Sequence, residues 1–168
     1  LERAGATVTR TKFPDITEAL ALSGVLFTTE AYATWRDRIE ANPGAMFAPV
    51  RDRFRSGANI TGPDYIAAWD RLAQIRALWT DHTAGYDAVL LPTAPILPPD
   101  AARLLSDPDY FATENLLALR NTRIGNLLGL CALTLPTGTP SCGLMLMSAP
   151  NTEERLLRLG SAAELALG

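Results

Sequence analysis

The sequence is poor in the side chains that carry most enzyme chemistry. Its 168 residues include two cysteines, Cys131 and Cys142, one histidine, His82, and one lysine, Lys12. Two cysteines are too few for a disulfide framework, and no Cys-x-x-Cys or Cys/His spacing could build a zinc site. Read as small apolar side chains in reduced form, they point to the cytoplasm. One histidine and two distant thiols cannot furnish a metal shell, so neither a metal nor a cofactor is expected. Basic residues number 15 against 18 acidic ones, a net charge of −3. Without a basic excess or stripe, no nucleic-acid partner is expected. The apolar runs are a handful of residues long, well short of the ~20 that span a bilayer, and no signal peptide is visible at the start. The first residue is Leu1 rather than methionine, from which we expect the 168 residues to be part of a longer polypeptide.

What is present suffices for a core. The chain is 48% hydrophobic and 20% charged, with 12 glycines and 12 prolines placed as punctuation. Gly5 reads as a helix C-cap, and the alternating, β-branched Ala6–Thr11 as a strand that Pro14 ends. Apolar residues from Ile16 to Ile39 predict one long or kinked helix with Gly24 as its weak point. A short helix carrying Phe47, Val50 and Phe54 should close at Gly57. The strongest periodicity, through Tyr65, Ala68, Leu72, Ile75 and Trp79, predicts a helix to about Thr83. Asp87–Leu91 reads as a strand buried on both faces. A proline-rich loop to about Asp107 and a helical stretch from Asn115 towards Leu130 follow. Ala132–Leu135 and Gly143–Met147 are two further strands. A final helix, capped by Asn151 or Thr152, turns Leu156, Leu157, Leu159 and Leu165 inwards. These elements predict an α/β fold with helices packed on a mixed, largely buried sheet, and a single region over 1–168 with no internal boundary.

The residues do not complete a catalytic set. There is no Gly-x-Ser-x-Gly elbow, no P-loop lysine and no Gly-x-Gly-x-x-Gly. His82 beside Asp81 lies near a helix end, where a cation favours the dipole; a His82–Asp81 base remains the competing reading. Lys12 reads as a surface residue. Arg51, Arg53 and Arg55 read as helix-end and solvent-facing groups, with carboxylate binding as the alternative.

Six pieces, in order, resemble the C-terminal half of the amidase signature enzymes. They are Gly5-Ala6-Thr7-Val8; Thr29-Glu30-Ala31; Arg53-x-x-x-Gly57 with Asp64-Tyr65-Ile66-x-Ala68 and Arg71; Tyr86-Asp87-Ala88-Val89-Leu90-Leu91-Pro92-Thr93-Ala94-Pro95; Asn121-Thr122-Arg123-x-x-Asn126-Leu127-x-Gly129-Leu130 with Leu135-Pro136; and Gly143-Leu144-Met145-Leu146. The sequence departs from the family pattern at Cys131, where proline is usual, at Met145, where glutamine is common, and at Ser141-Cys142.

The resemblance implies a serine hydrolase of amides with a Ser–cis-Ser–Lys triad. The lysine acts through the bridging serine, and the nucleophilic serine forms an acyl-enzyme that water cleaves. All three groups precede the matched region in that family, so no catalytic residue is expected here. This segment would contribute sheet strands and a wall of the substrate pocket, lined by Thr122, Gly125 and Thr93. The implied partners are a small-molecule amide, the missing N-terminal amidase core and, as a possibility, a second copy. A non-catalytic amidase-like binding or assembly module is the alternative.

Overall fold

The 26-residue helix α1 (Ile16–Ala41) runs unbroken through Gly24. The expected weak point holds because the flanking turns stay regular. Thr28 and Thr29 satisfy their hydroxyls on the carbonyls of Gly24 and Val25, at 2.6 and 2.7 Å. The computed structural model describes residues 1–168, which pack as two compact units.

One unit, Asp15–Ala77, is helical. It holds α1, the short α2 (Ala48–Arg55), a 3-10 turn (Ser56–Asn59) and most of α3 (Gly62–Thr83), the strongly periodic helix read from sequence. Leu26, Ile39, Leu72 and Ile75 are among its buried apolar residues. At Gly57 the 3-10 turn meets α1 so closely that a Cβ there would lie 2.0 Å from the Thr28 carbonyl oxygen.

Arginine–carboxylate forks brace this unit. Arg71 donates from Nε and Nη2 to both Glu18 oxygens, at 2.7 and 2.5 Å, and its Nη2 lies 3.7 Å from Asp15. Arg55 grips Glu40 in the same way, at 2.9 and 2.7 Å. Hydrogen bonding to these guanidiniums holds the Glu18 and Glu40 carboxyls below the ordinary glutamate range. A carboxyl depressed in the folded state binds its proton more readily once unfolded. The stability it contributes is therefore complete above the ordinary value of about 4.5 and is lost as pH falls through the lower folded one. The expected result is a urea midpoint that drops on acidification below that value, with a smaller drop in Arg71→Ala. An equal acid response in the variant would exclude Glu18 as a contributor.

The second unit, Leu1–Pro14 with Leu78–Gly168, contains the sheet. Strands β1 (Val89–Pro92), β2 (Cys131–Pro136) and β3 (Gly143–Ser148) lie in the order β1-β3-β2 and are antiparallel throughout. The fold class is α/β with helices packed on a sheet. The last strand in sequence is the central one, and Met145–Ser148 are its fully buried residues. β1 is instead an edge strand with half-buried side chains at Val89–Leu91, not a strand buried on both faces.

The strand expected at Ala6–Thr11 does not form. β-propensity needs a neighbouring ladder to act, and this segment has none. It is held instead by Thr11 Oγ1 against His82 Nε2 at 2.7 Å and by the edge-on packing of Phe13 on Trp79.

The proline-rich stretch is more ordered than its composition suggests. Asp100 accepts from the Arg103 N–H and starts α4 (Ala101–Ser106). Asp107 accepts from the Tyr110 N–H and starts α5 (Pro108–Ala118), with Pro108 at the first turn, where a missing N–H costs nothing. Helix α6 (Arg120–Leu128) follows and ends at Gly129 with φ 69°, a left-handed cap.

The closing helix α7 (Glu153–Leu167) covers one face of the sheet, with Leu156 and Ala163 buried against Leu135 and Leu146. Leu157 and Leu165 are 62% and 85% exposed, a correction to their expected inward placement. The stripe at 156, 159–160, 163 and 167 meets the sheet at i, i+3/4, i+7 spacing, and 157 and 165 fall off it. Thr152 is the N-cap, yet its hydroxyl donates to the Ala149 carbonyl instead of accepting from the helix.

Candidate functional site

Strand alternation sorts the sheet residues into two faces. Leu133, Leu135, Leu144 and Leu146 point to α7. The opposite face carries Leu91 and Thr93 beyond it, Ala132 and Thr134 of β2, and Gly143, Met145 and Met147 of β3, by the observed register. Helix α6 lies on this second face. A Cβ on Gly125 would stand 3.9 Å from both the Ala132 Cβ and the Met147 Cε.

Gly125 and Thr93 thus share one face of the sheet, and Thr122 lies one helical turn before Gly125. Gly125 is buried, while Thr122 and Thr93 are half-buried. The hydroxyl of Thr122 donates back to the Leu119 carbonyl at 3.1 Å, closing the start of its own helix. The backbone N–H of Thr93 extends the β1–β3 ladder by donating to the Gly143 carbonyl at 2.9 Å.

Two residues that sequence reasoning did not single out hold these parts together. Asn121, 6% exposed, donates from Nδ2 to the Pro92 carbonyl at 2.7 Å. Because Thr93 points its N–H at β3, the peptide groups of Pro92 point outwards along the sheet edge. Proline offers no N–H there, so the edge presents a lone carbonyl, and the Asn121 amide takes it. One hydrogen bond therefore ties α6 to the end of β1 beside Thr93. Thr134 is the second, with its Oγ1 accepting from Thr93 Oγ1 at 3.2 Å. Asn121 opens one of the family-like motifs, but its partner is 29 residues away in sequence. Thr134 is visible only once the strand register is known.

The remaining candidates are occupied elsewhere. His82 meets Thr11 and the Phe13 ring, at 5.4 Å between centroids, and its hydrogen-bond partner is not Asp81. Arg51 pairs with Asp52 and the Pro43 carbonyl and Arg55 with Glu40, so neither fork is open to a carboxylate ligand. The hydroxyls of Ser23, Ser56 and Ser106 donate to nearby main-chain carbonyls, and Ser148 meets Thr152. No three His, Cys, Asp or Glu side chains come together as a metal shell would require. Two hollows, of about 430 and 170 Å³, lie at Gly129–Leu133 with α7 and around Trp79, Tyr86 and Arg155; neither includes Thr93, Thr122 or Gly125. Thr93 and Gly125 instead lie on the face of the sheet that α6 packs against, half-buried and buried.

Comparison with known proteins accounts for this frame. The chain is 32% identical over 174 aligned residues to 2-amino-5-chloromuconic acid deaminase of Comamonas testosteroni, covering all of this chain and 37% of that protein. It superposes on the S177A allophanate hydrolase of Kluyveromyces lactis with a TM-score of 0.84, at 20% identity, over 96% of this chain and 27% of the other. A crystal structure described as an amidase matches with a TM-score of 0.77, at 22% identity, over 92% and 36%. The chain thus spans about a third of the length of these relatives. The family model described as Amidase matches residues 1–157, and the chain belongs to the amidase family.

Proposed function

We propose that residues 1–168 form a single region from the C-terminal part of an amidase, working in hydrolysis of an amide carbon–nitrogen bond. In this reading the acyl-enzyme forms on a serine outside this chain. The chain supplies β1–β3 and, with Thr93, Thr122 and Gly125, one wall of the substrate pocket. The observation that carries it is the convergence of Thr93, half-buried at the end of β1, and Gly125, buried on α6, on one face of the sheet. The 37% coverage of the deaminase supports the same reading. β1 and β2 are both sheet edges, which suits association with the remaining amidase core or with a second copy. The reading places the protein in the cytoplasm, supported by two free thiols; no helix is long and apolar enough to cross a membrane.

The test is labelling with a serine-directed fluorophosphonate, alongside hydrolysis of a panel of small amides. The 168-residue chain alone is expected to show neither labelling nor turnover. The longer polypeptide that contains it should show both, with label on a serine outside these residues. Turnover by the chain alone would overturn the proposal. Inactivity of both would favour the non-catalytic module.

A further inference from the structure

Asn121 and Pro92 each stand one residue before a candidate wall residue, Asn121 before Thr122 and Pro92 before Thr93. Their hydrogen bond of 2.7 Å therefore spans β1 and α6 at the point where the two threonines leave their elements. Its direction is forced, because a carbonyl oxygen only accepts and the one donor on an asparagine side chain is its amide nitrogen. Asn121 is buried, so water competes poorly for the bond.

The bond acts on one particular peptide group. The carbonyl of Pro92 and the N–H of Thr93 belong to the same planar, trans unit. Asn121 holds the oxygen of that unit, and the Gly143 carbonyl of β3 accepts from its N–H at 2.9 Å. Pinned at both ends, the plane resists tilting, and its orientation sets where the Thr93 side chain begins. Helix α6 otherwise meets this face at Gly125, against Ala132 of β2 and Met147 of β3. Without the Asn121 donor, Thr93 would keep its place in the β3 ladder, while α6 and Thr122 would lose this link to β1.

We propose that Asn121 is a positioning residue for substrate binding. Through Pro92 it fixes the separation of Thr93 from Thr122, and so the shape of the wall that an acyl group meets. It touches no reacting atom. The proposal rests on the pocket-wall reading above and adds to it the residue that holds the wall together. A short acyl group that does not reach the wall should be indifferent to Asn121, and a longer one should not. Binding lost in this way is common to the ground state and the transition state, so it raises KM and leaves kcat alone.

The experiment uses the longer polypeptide, with active enzyme counted by fluorophosphonate titration so that misfolded molecules drop out. Steady-state rates are measured on acetamide and hexanamide. Asn121→Leu keeps the side-chain volume and removes the donor. It should raise KM for hexanamide about tenfold, within what a misplaced positioning group costs, and leave kcat and both constants for acetamide unchanged. Asn121→Ser, too short to reach Pro92, should do the same and covers the case that leucine does not fit. Leu156→Ala, buried against Leu135 and Leu146 on the α7 side, should lower the urea midpoint yet keep the parent's hexanamide-to-acetamide ratio of kcat/KM. An unchanged ratio in the Asn121 variants, a fall in kcat in place of the rise in KM, or an equal shift in Leu156→Ala would overturn the proposal. So would Asn121 variants that yield no titratable enzyme, or a parent that labels but turns over neither amide. A parent sequence that shows neither label nor turnover would instead sink the amidase reading, and this role with it.

Discussion

Gly57→Ala should unfold the helical unit at far lower urea than the parent, whereas Gly24→Ala should raise its stability. At Gly57 the added Cβ would meet three backbone atoms: the Thr28 oxygen at 2.0 Å, the Thr28 carbon at 2.4 Å and the Thr29 nitrogen at 2.8 Å. No rotamer change relieves a backbone collision. The 3-10 turn must lift from α1, at a cost of about 3 kcal/mol or more, the upper end of what overpacking produces. At Gly24, on the exposed side of the same helix, nothing lies within 4 Å of the added methyl. Alanine there removes backbone freedom from the unfolded chain and should stabilise by roughly 0.5–1 kcal/mol. Circular dichroism at 222 nm through a urea series measures both, with Gly24→Ala as the internal control. If the two variants melt alike, the close approach of the turn to α1 is wrong.

Asn121→Asp should be the most damaging conservative change in the sheet-bearing unit. The side chain is buried and donates to a main-chain carbonyl that has no other partner in the ladder. An ionised carboxylate in its place cannot donate and sets negative charge against the Pro92 oxygen, a loss of about 3 kcal/mol at neutral pH. The pH dependence identifies the mechanism. Burial and the facing carbonyl would raise the introduced carboxyl above its unfolded value, so the folded state holds the proton longer. Stability lost at neutral pH should therefore return as pH falls towards that raised value, since a protonated carboxyl can donate to Pro92. Asn121→Ala should show no such recovery. The contrast between the variants separates a lost donor from a merely altered shape. Because Asn121 joins α6 to the strand end at Thr93, both variants should also broaden the Thr93 resonances.

Much of the architecture was legible in the residues. Spacing located α1, α2, α3, α7 and the three strands to within a few positions, because apolar periodicity of 3.6 or 2 follows directly from one-sided burial. The ordered resemblance pointed to the amidase family before any contact was known. Three features were not legible, each for a physical reason. Ala6–Thr11 has strand chemistry but no partner strand, and pairing is a property of two segments. Leu157 and Leu165 are apolar in an amphipathic helix, yet the width of the buried stripe is set by the sheet beneath it. α4 and the start of α5 lay hidden in a proline-rich run, because two aspartate caps outweighed the composition there.

The scarcity of histidine and cysteine by itself ruled out a disulfide framework and a Cys/His zinc site within these residues. What only the tertiary structure decided is how the candidate wall is organised. Asn121 and Pro92 are 29 residues apart and Thr93 and Thr134 are 41 apart. Sequence spacing carries no information on such pairs until register is fixed. In this protein the register is set by β3, the last strand in the chain, which enters between the other two and presents a glycine where the threonines meet.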